Sequence, residues 1–257
     1  MPTAVITGAS LGIGRAFAYV CARDGFDLIL VARSQVQLDS LAAELRQSTG
    51  SKVLTISQDL SEPGAADEVF QQVSRSGLPV EALINNAGFG LLGPFWEVDR
   101  RQQQRMVQLN IAALTDLTRL FLPGFIERRR GRILNVASTA AFQPGPLMAV
   151  YYASKAYVVS FSQAVHNEAR RFGVTVTCLC PGPTKTEFAQ RAGMNATKLF
   201  SGKATMSAET VAAIGYRAMK RGKPLVIAGR LNALGAFLTR FAPMRLTAAM
   251  ARRMQET

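Results

Sequence analysis

The chain has 257 residues, of which 48% are hydrophobic, and its formal net charge at pH 7 is +13. This length and hydrophobic content suit one α/β core, and no linker, repeat or low-complexity segment divides the chain, so we expect a single domain over residues 1–257. One histidine, His166, excludes a histidine-rich metal site, and we expect no metal.

The cysteines indicate a reducing compartment. Cys21, Cys178 and Cys180 form neither a disulfide framework nor a C-x-x-C site, and we expect them to be buried, with Cys178 and Cys180 on opposite faces of one strand. The first predicted strand begins within two residues of the start of the chain, which leaves no room for a cleavable signal peptide. We therefore expect a cytoplasmic protein.

The first predicted elements are a short apolar strand over residues 2–7, a glycine-rich turn over residues 8–14 and a helix over residues 15–23. Glycine permits a tight turn and a close approach of the backbone, and the free N–H groups at the start of a helix attract an anion. The glycine spacing, G-x-x-x-G-x-G, differs from the common dinucleotide fingerprint G-x-G-x-x-G. The pattern predicts a phosphate-binding turn, and a plain tight turn is the alternative.

The second predicted strand, residues 28–31, is followed by Arg33 and Ser34, and no acid stands between Asp27 and Asp39. In a dinucleotide-binding protein, an acid at this place accepts the ribose hydroxyls of NAD and repels a 2′-phosphate. The planar donors of a guanidinium suit a phosphate instead. Arg33 therefore favours NADP(H), with a solvated loop arginine as the alternative.

Tyr151 and Lys155 stand four residues apart on a predicted helix, and Ser138 precedes them at the end of an apolar run. Positions i and i+4 share a helix face, so we expect the ammonium of Lys155 near the phenol of Tyr151. A nearby cation lowers a phenol pKa that is otherwise about 10. Tyr151 then becomes a proton donor or acceptor near neutral pH, which indicates carbonyl chemistry.

Strand-like runs recur along the whole chain and alternate with helical patterns such as Leu38, Leu41 and Leu45. The runs lie around Val5 and at residues 28–31, 53–56, 82–84, 133–136, 174–178 and 225–227. Alternating strands and helices are typical of a parallel sheet that is covered on both faces. We predict the α/β class, with a single Rossmann-type doubly wound parallel sheet of about seven strands.

Together these segments resemble the short-chain dehydrogenase/reductase family from residue 3 to about residue 228. Residues 7–14 look like its cofactor loop, residues 85–88 (Asn-Asn-Ala-Gly) like its fourth-strand motif, and residues 181–186 like its nicotinamide-side turn. The four catalytic positions of the family are matched in order and spacing by Asn110, Ser138, Tyr151 and Lys155. The chain looks like a subgroup of broad or unassigned substrate range with a C-terminal extension.

The resemblance implies roles for these side chains. Tyr151 exchanges a proton with the substrate oxygen, Ser138 donates a hydrogen bond to that oxygen, and Lys155 lowers the phenol pKa and holds the nicotinamide ribose. Asn110, in a helix predicted over residues 98–128, anchors a water that links Lys155 to solvent. The cofactor contacts implied by matching positions are Gly8, Ser10, Leu11, Gly12, Ile13, Gly14, Arg33, Asp59, Leu60, Asn86, Ala87, Gly88, Tyr151, Lys155, Pro181, Gly182, Thr184 and Thr186.

Cofactor and substrate are expectations at this point. NADP(H) is preferred and NAD(H) is the alternative, because many NADP-using relatives carry a base where this chain has Leu11. The pocket positions are mainly apolar, which suits a ketone, an aldehyde or a 3-oxoacyl substrate better than a sugar. By family position they are Phe89, Leu91, Phe95, Phe142, Gln143 and a lid over residues 183–206 with Phe188, Met194, Leu199 and Phe200.

Two other functions are retained as alternatives. One is a membrane-associated acyl-chain reductase, and the other is a non-catalytic NADP(H)-binding sensor on the same fold. A sensor needs no proton donor, so the four intact catalytic positions count against it.

Three explanations compete for the charge of +13: basic solvated faces, which we favour, an anionic ligand such as a cofactor or acyl thioester, and an anionic membrane. The tail, residues 229–257, reads as a basic amphipathic extension. Its apolar stripe is Leu231, Leu234, Phe237, Leu238 and Phe241. Such a stripe more often covers the protein's own sheet edge or substrate mouth than a membrane, and no motif for nucleic-acid binding is present.

We expect a homodimer through the long helices that carry Asn110 and Tyr151. The apolar residues assigned to their outer faces are Leu114, Leu117, Phe121, Val159, Phe161 and Val165. A tetramer through the edge of the last strand is the alternative, and the tail is expected to block that edge.

Overall fold

The computed structural model describes residues 1–194 and 205–256. Within these ranges a seven-stranded parallel sheet is built from β1 Thr3–Thr7, β2 Asp27–Ala32, β3 Val53–Ser57, β4 Val80–Asn85, β5 Gly131–Val136, β6 Val174–Cys180 and β9 Leu225–Ile227. The strand order is β3-β2-β1-β4-β5-β6-β9. This confirms the predicted doubly wound parallel sheet of seven strands.

Helices cover both faces of the sheet. Phe17, Leu41 and Tyr216 belong to the core on one face, and Val69 and Phe121 belong to the core on the other. The first face is covered by α1 Gly12–Arg23, α2 Gln35–Thr49 and α8 Ala208–Lys220, and the second by α3 Ala65–Arg75, α5 Leu114–Glu127 and α6 Ala149–Ala169. Two hydrophobic cores therefore sandwich the sheet.

The remaining elements lie near the carboxyl ends of the strands or in the tail, apart from one helical turn before β6. They are α4 Arg100–Val107, the π-helix Gln108–Ala113, the 3₁₀-helices Thr139–Phe142 and Arg170–Phe172, α7 Phe188–Arg191, the paired β7 Thr184–Lys185 and β8 Met206–Ser207, α9 Arg230–Leu238 and α10 Met244–Gln255.

Local signals in the sequence explain where the elements begin and end. All five residues of β1 are buried, as expected for a central strand covered on both faces. The side chain of Ser34 accepts a hydrogen bond from the N–H of Gln37 at the start of α2, and Gly50 ends that helix in the left-handed conformation. Asp99 caps α4 in the same manner through the N–H of Gln102 at 2.8 Å.

The helix predicted over residues 98–128 runs from α4 to α5 without a break, but six of its residues form the π-helix. The span Arg100–Glu127 is long and apolar enough to cross a membrane by length and composition alone. In the fold it is a core helix, because Leu117, Phe121 and Phe125 are buried against the sheet.

The order of the strands reverses between β1 and β4, and a crevice opens at the carboxyl ends of the sheet at such a point. Asn86 links the two strands there. Its side-chain Nδ2 donates to the carbonyl oxygen of Thr7 at 2.9 Å, and the hydroxyl of Thr7 accepts the N–H groups of Asn86 and Ala87 at 3.0 and 3.1 Å. The glycine turn and the fourth-strand motif are therefore held together.

The expectation that Cys178 and Cys180 lie on opposite faces of β6 is wrong. Side chains two positions apart in a strand point to the same face, and the two sulfur atoms lie 4.0 Å apart. All three cysteines are free and buried.

The apolar residues on which the dimer prediction rested are mostly not on an outer surface. Leu114, Leu117, Phe121 and Val165 are buried in the core of the same chain. They face inward because α5 and α6 pack directly on the sheet. The prediction that these four residues form an outer apolar stripe is therefore wrong, although the dimer itself stays a prediction.

Most of the apolar stripe of the tail is exposed rather than packed against the sheet edge, which was one of the two places expected for it. The tail patch is defined as the exposed large apolar residues of α9, α10 and the turn between them: Leu231, Leu234, Phe237, Leu238, Phe241, Met244, Leu246, Met250 and Met254. The buried side of α10 consists of Thr247, Ala251 and Gln255. These smaller or polar residues pack the helix onto the domain, which leaves the large apolar residues outside.

Candidate active site

A cleft of about 1290 Å³ opens at the carboxyl ends of the strands. With the exception of Gly14, every residue predicted to contact the cofactor lines this cleft, as do Ser138, Tyr151 and Lys155. Asn110 lies behind the wall and is 1% exposed. The topology thus brings segments from seven parts of the chain to one site.

The turn between β1 and α1 has the features of an anion cradle. Gly8 and Gly12 adopt φ angles of +64° and +53°, which favour glycine, and the start of α1 at Leu11 receives no side-chain cap. The N–H groups at the start of that helix are therefore free for an anionic group. Gly14 serves packing instead, since a Cβ there would lie 2.1 Å from the carbonyl oxygen of Gly8. These residues fit the pyrophosphate of a dinucleotide.

Charged side chains surround the far end of the cleft, where β2 and β3 finish. Arg33 is exposed, and its Nη1 lies 3.9 Å from Oδ2 of Asp59. Arg105, which was not predicted, binds the same oxygen at 2.7 Å and also pairs with Glu62 at 2.8 Å. Burial raises the pKa of Asp59, but hydrogen bonds from Ser61 and the charges of Arg33 and Arg105 more than offset this and lower it. Asp59 is thus an anion that orients two cations.

Tyr151 lies at the inner end of the cleft, buried beside the ring of Phe188 at a centroid distance of 5.4 Å. Burial raises its pKa to about 12, and the hydrogen bond with Ser138 lowers the pKa by less than burial raises it. The expectation of a lowered phenol pKa is wrong for this geometry. The phenol is a protonated hydrogen-bond donor at neutral pH.

The ammonium of Lys155 is held by the backbone rather than by the phenol of Tyr151. Its Nζ donates to the carbonyl oxygen of Val136 at 3.0 Å and lies 5.8 Å from the ring centroid of Tyr151. Burial also lowers the pKa of this lysine to about 8. The buried ammonium is therefore held by a backbone carbonyl, and it loses its proton more easily than an exposed lysine does.

Ser138 ends the loop after β5. Its Oγ accepts the N–H of Ala140 at 3.1 Å and so caps the 3₁₀-helix Thr139–Phe142. The N–H of Thr139 donates to the carbonyl oxygen of Pro181 at 2.8 Å. These contacts fix the serine, so that its hydroxyl proton remains free to point at Tyr151 or at a substrate oxygen.

Asn110 lies within the π-helix, and such an interruption often accompanies a functional site. Its Nδ2 donates to the carbonyl oxygen of Phe89 at 2.9 Å and to Ser154 Oγ at 3.1 Å, and its Oδ1 accepts the N–H of Phe89 at 3.2 Å. A Cβ on Gly88 would lie 3.1 Å from this Oδ1 and 3.3 Å from Lys155 Nζ. Asn110 therefore holds the loop after β4 against the lysine.

The predicted substrate positions divide into three groups. Phe89, Leu91, Gln143, Phe188 and Met194 line the cleft. Phe95 is 60% exposed and lies outside the wall, and Phe142 packs in a core cluster with Val158 and Cys178, so both predictions are wrong. Leu199 and Phe200 fall outside the described residues, as does much of the predicted lid.

The tail contributes to the site, which agrees in part with the expectation that its apolar stripe covers the sheet edge or the substrate mouth. Leu231, Thr239, Met250 and Met254 line the cleft. Nε2 of Gln255, a residue that is 1% exposed, donates to the hydroxyl of Tyr152 at 2.6 Å. Residues 247, 251 and 255 are buried and are spaced by four, so they share one face of α10. Because these residues are small or polar, the hydrophobic pattern of the sequence did not identify this face.

Known proteins resemble the chain over most of its length. A family model described as short chain dehydrogenase matches residues 2–196. A very-long-chain 3-oxoacyl-CoA reductase of Phaeosphaeria nodorum is 39% identical over 180 residues, which are 68% of this chain and 53% of that protein. This chain therefore spans about half the length of that relative.

Solved structures extend the likeness to the tail. A short-chain dehydrogenase from Sphingobium yanoikuyae in complex with NADPH is 34% identical, with a TM-score of 0.83 over 94% of this chain and 95% of that one. A bulky-bulky ketone specific alcohol dehydrogenase from Comamonas testosteroni is 30% identical, with a TM-score of 0.79 over 94% and 93%. With the family match over residues 2–196, these findings establish that the chain belongs to the short-chain dehydrogenase family.

Proposed function

We propose that this protein is an NADP(H)-dependent oxidoreductase that interconverts a carbonyl and an alcohol, acting as a reductase of an apolar ketone, aldehyde or 3-oxoacyl compound. One observation carries this proposal. Ser138, Tyr151 and Lys155 line the same largely apolar cleft, and Tyr151 and Lys155 are buried there.

The residues divide the work as follows. The start of α1 would hold the pyrophosphate, and Arg33 would hold the 2′-phosphate of NADP(H), which when bound supplies or accepts the hydride. Ser138 orients the substrate oxygen and Tyr151 gives it a proton. Lys155, with a pKa of about 8, can return a proton towards Tyr151. Asn110 keeps the loop after β4 in place around this lysine.

The wall of the cleft supports an apolar substrate with an anionic end. Phe188 and Met194 provide apolar surface, and Arg191 on α7 also lines the cleft. This combination suits a 3-oxoacyl thioester, and the similarity to a 3-oxoacyl-CoA reductase and to a bulky-ketone dehydrogenase is consistent with it. The lid over residues 183–206 remains part of the proposal.

A screen of NADPH consumption tests this function. The panel contains apolar ketones, aldehydes, steroids and 3-oxoacyl thioesters, with a sugar as the polar comparison. We expect turnover with at least one apolar carbonyl and production of the matching alcohol. Tight NADPH binding without turnover on any member would instead support the non-catalytic sensor.

Arg33→Asp should shift the cofactor preference from NADPH towards NADH. It replaces a phosphate partner with an acid that repels phosphate and accepts ribose hydroxyls. A charge-assisted hydrogen bond is worth roughly 1.5–3 kcal/mol, which corresponds to a change of about ten- to hundredfold in the ratio of kcat/KM values. The control is Arg75→Asp on α3, outside the cleft. A wild-type protein that uses NADH as well as NADPH would contradict the role of Arg33.

We also propose a homodimer through the helices that carry Asn110 and Tyr151. Val107 is 42% exposed and Tyr157 is 37% exposed, and the ring of Tyr157 stacks on Phe161 at 5.6 Å. These residues replace the buried ones as the candidate contact.

Light scattering at micromolar concentration should give the mass of a dimer for the wild type, and Val107→Arg/Tyr157→Arg should shift it towards monomer. Buried charge at an apolar contact is costly, which is the reason for this change. A wild-type monomer would refute the helix contact. A tetramer would refute the expectation that the tail blocks the edge of β9.

The three buried free cysteines support the cytoplasm as the compartment that we propose.

A further inference from the structure

The tail patch concentrates exposed apolar surface in one part of the chain. Within the described ranges, sixteen large apolar residues are exposed, and nine of them form the tail patch, whereas the other seven are spread over residues 1–157. Phe241 is 73% exposed and Met244 is 72% exposed. Concentrated apolar surface of this kind marks an interaction site, because single exposed apolar residues are ordinary but clusters are not.

The charged residues of the tail segment are almost all positive. Residues 229–256 contain five arginines, at positions 230, 240, 245, 252 and 253, and one acid, Glu256. That acid pairs with Arg252 at 2.6 Å, which leaves four arginines in the segment in excess over acids. An apolar face bordered by arginine suits an interface that is apolar inside and anionic at its surface.

The patch adjoins the mouth of the cleft. Leu231, Met250 and Met254 belong to the patch and also line the cleft. The two helices are anchored to the domain, since Ala236 and Ala251 are buried and Gln255 binds Tyr152. A surface that contacts the patch would therefore lie directly at the entrance to the site.

We propose that the tail patch docks this protein on the surface of an anionic phospholipid bilayer, with the mouth of the cleft turned towards the lipid. The large apolar side chains enter the interfacial layer, and the arginines bind lipid phosphates and carboxylates. A lipophilic carbonyl compound can then pass between the bilayer and the cleft without crossing water, a consequence that rests on the proposed function.

Charge argues against a second copy of this chain as the occupant. Two tails that met through the patch would bring their excess arginines together, and like charges at close range repel. The anionic headgroups of a bilayer neutralise the same arginines.

Flotation of the full chain with vesicles tests the proposal. Phosphatidylcholine vesicles are compared with vesicles that also contain phosphatidylserine, at low and high salt. The test variant is Phe237→Gln/Phe241→Gln. In the wild type these two exposed rings pack with their centroids 5.1 Å apart, and neither residue lines the cleft. The matched control is Val36→Gln/Trp96→Gln, which removes two exposed apolar residues far along the chain from the tail.

We expect the wild type and the control to float with the anionic vesicles, less with neutral vesicles and less at high salt. The test variant should lose binding by at least about tenfold. Turnover of a water-soluble carbonyl without vesicles should be equal in all three proteins, which shows that they are folded. Absent turnover with intact flotation would contradict the proposed function and leave the docking standing.

Three results would overturn the docking. The first is a wild type that stays unbound with anionic vesicles, and the second is a test variant that floats as well as the wild type. The third is a fall in oligomer mass for the test variant without any vesicle binding by the wild type, because a second copy would then cover the patch.

Discussion

Tyr151→Phe should reduce kcat by about 10²–10⁴-fold, the usual contribution of a positioned general acid, while NADPH binds nearly as well as to the wild type. The substitution removes one hydroxyl and little volume. The buried phenol has a pKa of about 12, so it is protonated at neutral pH and acts as the donor to the carbonyl oxygen. Steady-state kinetics with the best substrate and NADPH titration by fluorescence measure the two effects.

A control separates this loss from a general effect of removing a tyrosine hydroxyl. Tyr19→Phe removes the hydroxyl that bonds to Glu44 on the surface, outside the cleft, and should leave kcat unchanged. Retention of more than a tenth of wild-type turnover by Tyr151→Phe would remove Tyr151 from the mechanism.

Lys155→Met should lower both turnover and NADPH affinity, and it should also change how stability depends on pH. Burial lowers the pKa of Lys155 to about 8 in the folded protein, from 10.5. The unfolded chain therefore holds this proton more tightly than the folded protein does. Burial of the charged lysine lowers the free energy of unfolding by its full amount below pH 8, and this destabilisation decreases as the pH rises towards 10.5. The variant carries no such cost.

Denaturant unfolding at pH 7 and pH 10 measures this effect. The free energy of unfolding of the wild type should rise relative to that of Lys155→Met by roughly 2–3 kcal/mol between the two values. Lys52→Met, which removes an exposed lysine, is the control for loss of a positive charge. If the difference in the free energy of unfolding between wild type and Lys155→Met were the same at both pH values, Lys155 would not be buried as a cation. If Lys155→Met bound NADPH as tightly as the wild type, the role of Lys155 in cofactor binding would be refuted.

The fold could be predicted because its signals are local. Continuous apolar runs such as those of β1 and β2 are typical of strands covered on both faces, and Gly8 and Gly12 are required by the turn between β1 and α1. These features act within a few residues, so a single sequence contains them. The seven strands and their alternation with helices follow directly.

The electrostatics of the site could not be predicted, because they depend on contacts between distant segments. The i, i+4 spacing placed Lys155 beside Tyr151, but the carbonyl of Val136 on β5 holds its ammonium, and Phe188 on α7 packs against the phenol. Arg105 reaches Asp59 only because the helix after β4 packs beside the end of β3. Spacing predicts which residues share a face, whereas burial decides their pKa values.

The packing of the tail helices could not be predicted from the sequence either. Its amphipathic stripe was evident in the sequence, but the pattern alone did not say whether the apolar or the small residues face the domain. The structure buries Thr247, Ala251 and Gln255 and exposes Met250. The cleft-lining positions of Leu231 and Met250, together with the contact of Gln255 with Tyr152, show that the tail belongs to the site.

Transfer of deuterium from NADPH that carries deuterium at both C4 positions of the nicotinamide tests the central claim most directly. The labelled cofactor is incubated with an accepted ketone, and mass spectrometry locates the label in the product. The account predicts one deuterium on the carbinol carbon with wild-type protein, and almost none in the same time with Tyr151→Phe. Product alcohol that carries hydrogen from water at that carbon, or equal labelling by the variant, would contradict it.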